Sequence, residues 1–204
     1  MTIHFYSTQG DYGFFSNFSS HPIAVNGKVW PTTEHYFQAQ KFAGTPHEEQ
    51  IRRAKSPGDA ARMGRDRSRP LRADWESIKD NVMRVALRAK FTQHEDLRVA
   101  LLATGHEHLV EATTSDYYWG CGTDGTGKNM LGILLVELRD ALRSESQQSL
   151  ARTGDVVVGL ASGERDIHVD VGCAVEASAC VDGRFVRRAS IHAFDVLRFP
   201  RRAV

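Results

Sequence analysis

Cysteine is scarce in this chain. Cys121, Cys173 and Cys180 are three among 204 residues, an odd number and widely separated. No CxxC pair occurs, so neither a zinc knuckle nor a disulfide framework is indicated. Long apolar runs are missing too, and nothing approaches the roughly 18 residues that a membrane helix needs. The opening residues MTIHFYSTQGDYG have no basic stretch followed by an apolar one, which points away from a secretory leader. A surplus of one charge sign is also absent. The net charge is +1, which excludes the broad basic field of a duplex-binding protein and any acidic tail. A reducing cytoplasm is the expected compartment. Bound phosphate stays open, since it needs local donors and not global charge.

Several catalytic signatures are missing as well. HExxH and GxSxG do not occur, and Cys121 has no recognisable base. His94, Glu95, His106, Glu107 and His108 cluster in sequence, but no third ligand has metal-binding spacing. No metal is expected.

What is present is uneven along the chain. All three tryptophans, all five tyrosines and every lysine lie at or before Lys128. The stretch SESQQSLARTGD then reads as a polar linker, and beyond it the positive charges are all arginine. Residues 1–143 are therefore expected to be the functional body. Residues 144–204 form an extension of unknown role, either poorly ordered or a short β segment, with VVVGLA and DIHVDVGCAV as strand candidates.

Within the body, HFYS reads as a strand. IAVNGKVW has Asn-Gly between apolar flanks, a strong hairpin signal. A helix begins after Pro31, and another after Ser56-Pro57-Gly58-Asp59, with Gly64 as its stop. Asp74 is placed to cap the longest helix, Trp75 to about Phe91, with Trp75, Ile78, Val82, Val85, Ala86 and Ala89 as its apolar stripe. Further elements are a helix from Glu95 to Thr104, a strand within 107–113, and an apolar helix from Asn129 to Arg143. The sum is a compact, mainly helical α+β domain with few short strands.

Two stretches carry chemistry. WPTTEHYFQAQKF, residues 30–42, sets Glu34, Phe37, Gln38 and Lys41 on one helical face. A capping box would need its acid three residues after the capping hydroxyl, and those positions are His35 and Tyr36. Glu34 thus misses the structural slot, although spacing alone leaves a pocket and a surface ion pair equally open. TTSDYYWGCGTDGTGKNMLG, residues 113–132, is rich in glycine and aromatics and leads into a helix. Its GTDGTGKN nearly matches a P-loop, but Asn129 stands where a magnesium-binding hydroxyl is required, and the preceding residues are not a buried strand. A glycine-rich turn and a phosphate contact through backbone N–H groups both remain open. The arginine run RMGRDRSRPLR is either a solvated loop or a phosphate clamp.

Taken together, GDYGFFSNF (10–18), WPTTEHYFQAQKF (30–42), AARMGR (60–65), WESIKDNVMRVALRAKF (75–91), LLATG (101–105), HLVEATTSDYYWGCG (108–122) and GKNMLGILLVELRDAL (127–142) resemble the NADAR superfamily, which includes YbiA-like N-glycosidases. The resemblance implies cleavage of an N-glycosidic bond at a ribose anomeric carbon. The implied substrates are phosphoribosylated aminopyrimidines of riboflavin synthesis. Alternatives are removal of ADP-ribose from guanine in a nucleotide or nucleic acid, and a non-catalytic module that binds NAD or ADP-ribose. Glu34 and Asp116 fall on the family's acids, and Trp75 and Trp119 on its tryptophans. Asn17, Lys41, Arg65, Gly120, Gly122 and Asn129 also match motif positions.

Breaking a ribosyl C–N bond builds positive charge at the anomeric carbon. A carboxylate in a water-poor pocket stabilises that charge, and a carboxylate can take a proton from attacking water. The resemblance therefore implies Glu34 and Asp116 as the catalytic pair. Trp75 and Trp119 would shape the base pocket, with Asn17, Gly120, Gly122, Asn129 and Arg65 around ribose or phosphate. Lys41 would contact the phosphate or, as a neutral amine, trap the opened sugar as a Schiff base. No step calls for a cofactor. No membrane partner is expected, and no oligomeric state is implied.

Overall fold

The computed structural model describes residues 1–152, 175–181 and 184–191. The chain divides into two compact units, Met1–Ser144 and Glu145–Val204. In chain order the elements are β1 (Thr2–Phe5), a single 3-10 turn (Gly13–Phe15), β2 (Ile23–Val25), β3 (Lys28–Trp30), α1 (Thr33–Gln40), α2 (Pro46–Arg52), α3 (Pro57–Gly64), α4 (Trp75–Gln93), α5 (Glu95–Ala103), β4 (His108–Glu111), α6 (Met130–Arg152), β5 (Val175–Val181) and β6 (Arg184–Ile191). This is the mainly helical α+β architecture that the sequence implies.

Local signals explain much of the first unit. Asn26 and Gly27 both take positive φ, 51° and 73°, as the turn between the antiparallel β2 and β3 requires. Ser56 Oγ accepts from the Asp59 N–H at 3.0 Å, with Pro57 in the first turn of α3. The same signal at Thr45-Pro46 starts α2, which the sequence reading passed over.

Helix α4 departs from expectation in two ways. Asp74 sits at its N-cap but makes no side-chain cap bond. Its carboxylate instead accepts from Arg72 Nε at 2.6 Å and Nη2 at 2.9 Å, a bidentate pair that outcompetes a backbone N–H. The buried stripe is also rotated from the one expected. Val85 is 39% exposed, while Met83, Leu87 and Phe91 are buried, because larger side chains remove more apolar area from water. Lys90 lies on that stripe with no exposure at all. Its ammonium donates to Phe14 O (2.5 Å), Ser16 O (3.0 Å) and Ser19 Oγ (2.5 Å). Three donors meet three acceptors, which is what a buried ammonium needs. The effect is to pin the loop 14–19 onto α4.

Helix α1 packs against α2, α3 and α4, and β1 pairs in parallel with β4. One core runs through the unit from Phe5, Phe15 and Trp30 to Phe91, Leu109 and Leu135. The expected helix ending at Arg143 continues instead to Arg152. SESQQSLAR contains neither glycine nor proline, so nothing in it stops a helix.

In the second unit, β5 and β6 form an antiparallel ladder with an irregularity between Ala177 and Ala179. The strand candidate VVVGLA and all of DIHVDVGCAV except Val175 lie outside the described residues. Among the described residues, no helix is long and apolar enough to cross a membrane.

Candidate active site

The first turn of α1 is built around Glu34. Thr32 Oγ1 accepts from the His35 N–H at 3.3 Å and meets His35 Nδ1 at 2.9 Å. His35 therefore fills the capping position, and the Glu34 carboxyl is free of it. The Glu34 N–H donates to Asn17 O at 3.1 Å, and Thr33 Oγ1 donates to both Asn17 O and Asn17 Oδ1 at 3.1 Å. Asn17 thereby fixes the start of the helix.

Glu34 is 5% exposed, and Gln38, one turn on, donates to its Oε1 at 2.8 Å. Burial pushes the Glu34 pKa upward. The Gln38 hydrogen bond and the charges of Lys41 and Arg65 oppose that rise, and the Asp116 charge adds to it. Glu34 is thus neither a surface ion pair nor a helix cap. The opposing oxygen of Gln38, Oε1, is buried with no partner and lies against Gly64.

Lys41 closes the same face. Its Nζ donates to Gly64 O at 3.2 Å and lies 5.6 Å from the ring centres of Phe37 and Trp75. Burial pulls its pKa down to about 8, against the attraction of Glu34. Phe37 stands between the two indoles, edge-to-face with Trp75 at 5.0 Å and with Trp119 at 5.2 Å. Trp75 comes from the start of α4 and Trp119 from the loop before α6, so three distant segments converge on one ring.

Asp116 sits in that loop. Its Oδ1 accepts from the N–H groups of Tyr118 (2.8 Å) and Trp119 (2.7 Å), which fixes the carboxyl and the indole together. Glu34, Lys41, Arg65 and Asp116 are thus brought into one electrostatic neighbourhood. Arg65 is exposed, just past α3. It lines a cleft of about 460 Å³ with Gly58, Arg62, Met63, Asp66 and Arg69.

The glycine-rich loop does something else. The N–H groups of Gly127, Lys128, Asn129, Met130 and Leu131 donate to Cys121, Tyr117, Gly120, Tyr118 and Trp119 carbonyls, respectively. Amides that an anion would need are already used to close the loop, and the Lys128 ammonium lies over the Tyr118 ring. A Cβ on Gly120 would fall 2.1 Å from Thr113 Cγ2 and 2.8 Å from Glu111 O, and Gly122, at φ +69°, packs under the Tyr117 ring. Asn129, at φ 52°, spends its whole amide on β4. Its Oδ1 accepts from the Glu111 N–H at 2.9 Å and its Nδ2 donates to Leu109 O at 2.8 Å. These three residues hold the loop that presents Asp116 and Trp119.

The sequence reading gave no role to Glu111, the last residue of β4. Strand alternation sets it on the same face as Leu109, which is 2% exposed, so an acid occupies a core-facing position. Burial pushes it up to about 7, and the Asp116 and Glu34 charges push in the same direction. The signal was the period of two in HLVE. Among the described residues, no group of three or more His, Cys, Asp or Glu has the geometry to hold a metal ion.

With this geometry in hand, the relatives are informative. The NADAR domain model matches residues 4–143. The chain is 63% identical over 143 residues to "N-glycosidase YbiA" of Escherichia coli (strain K12), covering 70% of this chain and 89% of that protein. It is 39% identical over 150 residues to "Riboflavin biosynthesis protein VVA0006" of Vibrio vulnificus (strain YJ016), covering 74% of this chain and 41% of that one. The NMR structure of the E. coli protein YbiA superposes with a TM-score of 0.68 at 61% identity, covering 72% of this chain and 88% of that chain.

Proposed function

The chain belongs to the NADAR domain family and is an N-glycosidase; from that premise we propose that it hydrolyses the C–N bond between ribose and an aminopyrimidine in a phosphoribosylated intermediate of riboflavin synthesis. The observation that carries this reading is the buried Glu34 carboxyl within reach of the Asp116 charge, beside the Phe37, Trp75 and Trp119 rings. The name of the Vibrio relative supports the riboflavin assignment. The cytoplasm is the compartment this chemistry assumes, and the substrate is a small molecule.

Glu34 and Asp116 form the acid/base and charge-stabilising pair. As the C–N bond lengthens, positive charge grows on the anomeric carbon, and a desolvated carboxylate favours that state over the neutral substrate. The carboxylate not facing the charge takes the proton of the attacking water. Trp75 and Trp119 form the wall against which the departing ring stacks, worth about 1–3 kcal/mol per base. Asn17 orients the ribose, and Gly120, Gly122 and Asn129 act through the loop they hold. With the loop amides committed, the phosphate falls to Arg65 and its cleft.

Lys41 serves as the amine that condenses, after the C–N bond has broken, with the released sugar in its ring-opened aldehyde form. Burial holds its pKa near 8, which leaves roughly a tenth of it neutral at pH 7. Cyanoborohydride added during turnover is expected to leave a reduced phosphoribosyl adduct on Lys41. Intact protein mass with no adduct would return Lys41 to a phosphate contact.

The test of the function is release of free base, followed by chromatography, from a phosphoribosylaminopyrimidine given to the full chain. Glu34→Gln should lower kcat by at least ~100-fold. Near-normal turnover would remove Glu34 from the mechanism. The arginine-lined cleft favours a second reading, in which the substrate carries ADP-ribose on guanine, because Arg62 and Arg69, although paired with Asp59 and Asp66, add positive charge beside Arg65. An ADP-ribosylated guanine oligonucleotide in a parallel assay separates the two.

A further inference from the structure

Two acids were expected in this site, but a third is present. Glu111 ends β4 on its core-facing side, and its backbone is clamped at both ends. The N–H donates to Asn129 Oδ1 at 2.9 Å, and the carbonyl accepts from the Cys121 N–H at 2.9 Å. Those bonds fix the direction in which the side chain leaves the strand. The Glu111 carboxyl has no hydrogen bond or ion pair among the described residues, whereas Glu34 is held by Gln38 and Asp116 by two backbone N–H groups. Glu111 is half-buried, and neither packing nor pairing accounts for an unpartnered acid at this position.

We propose that Glu111 is the general acid of the reaction, standing in the pocket of Glu34 and Asp116 and giving its proton to the departing base nitrogen. The proposal rests on the reading above that the chain cleaves a ribosyl C–N bond. Burial of Glu34 and Glu111 near the Asp116 charge disfavours ionisation of all three carboxyls together, since each like charge raises the cost of the next. The other charged groups of the pocket are Lys41, just past the end of α1, and Arg65, past α3, and both act on Glu34. Burial first, and then the Asp116 and Glu34 charges, raise the Glu111 pKa to about 7, which keeps a share of it protonated near neutral pH. A proton donor with its pKa near the operating pH suits this task.

The step balances as follows. The C1′–N bond breaks with its electron pair on nitrogen, and that nitrogen takes the Glu111 proton and leaves as the free amine. Water forms the new C1′–O bond and gives its proton to the Glu34 or Asp116 carboxylate. Solvent exchange then removes that proton from Glu34 or Asp116 and returns one to Glu111. The net change is one water consumed, with one amine and one free sugar formed.

The experiment is kinetic. Glu111→Gln keeps size and shape but cannot donate a proton, and Glu111→Asp keeps the acid with a shorter reach. On the phosphoribosylaminopyrimidine, Glu111→Gln should lose ~100-fold or more in kcat with KM within about threefold, and Glu111→Asp should recover at least ~10-fold of that loss. Wild-type kcat should fall as pH rises above about 7, and this alkaline limb should vanish in Glu111→Gln. Undiminished kcat in Glu111→Gln, a loss confined to KM, or Glu111→Asp no better than Glu111→Gln would each overturn the assignment. Should Glu111→Gln fail to fold, a wild-type profile flat through pH 7 would overturn it alone. No base release by wild type at any pH would instead overturn the function reading.

Discussion

Gln38 Nε2 donates to Glu34 Oε1 at 2.8 Å across one turn of α1, with both side chains at least 95% out of contact with solvent. A hydrogen bond to the ionised form favours that form, so Gln38 counters the burial that would otherwise keep Glu34 protonated. Replacing it with Met retains volume and removes the donor. Gln38→Met should therefore shift the acidic limb of the kcat profile to higher pH, with kcat at pH 6 reduced roughly tenfold. A limb that does not move, measured by base release across pH 5–8, would separate Gln38 from the ionisation of Glu34.

Gly64 makes that pair possible from the outside. A Cβ there would stand 2.0 Å from Gln38 Oε1 and 2.8 Å from Gln38 Cβ and Cδ. The amide end could swing away, but the Cβ of a buried helical residue cannot. Gly64→Ala should push Gln38 off Glu34 and also disturb the Gly64 carbonyl that receives Lys41. The expected result is a kcat loss of ~10-fold or more with a folded protein by circular dichroism, and destabilisation of about 1–3 kcal/mol in urea.

Lys90 is a second buried polar attachment in the same unit. Lys90→Met fills the space yet removes the charged donor to the Phe14 and Ser16 carbonyls, which keep only their weaker bonds from Ser19. A hydrogen bond from a charged donor contributes about 1.5–3 kcal/mol, so a loss of roughly 2 kcal/mol is expected in urea unfolding. Because the loop 14–19 carries Asn17, whose carbonyl receives the Glu34 N–H, activity should fall as well. An equally stable Lys90→Met would mean the ammonium contributes nothing net.

Stability should also respond to Glu111 as pH changes. Its folded pKa, about 7, lies above the ordinary 4.5, so the folded chain binds more protons than the unfolded chain between those values. Stability from this group is complete below pH 4.5 and is lost as pH rises through 7. Glu111→Gln cannot ionise, so its melting temperature should match wild type near pH 4 and exceed it at pH 8. Parallel melting curves across the range would contradict the raised pKa. Greater stability with lower activity is the pattern of a group kept for chemistry.

Local signals were legible in the chain because they act over a few residues. Asn26-Gly27 sets a turn, Ser56-Pro57 starts α3, and Thr32 caps α1 through His35. That the Glu34 carboxyl escapes the cap follows from counting. The rotated stripe of α4 was not legible, since Val85 and Met83 differ in burial only through what faces them. Lys90 reads as an ordinary surface lysine until Phe14, 76 residues away, comes within 2.5 Å.

Sequence alone thus determined the family motifs, the helical α+β composition and that Glu34 misses the capping slot of α1. Only the tertiary structure decided that the glycine-loop amides are spent on their own loop and that Glu111 is half-buried within the fields of Asp116 and Glu34. The physical reason is range. Caps and turns are fixed by neighbours within one turn of chain, whereas desolvation and like-charge repulsion depend on segments that meet only after the core has closed.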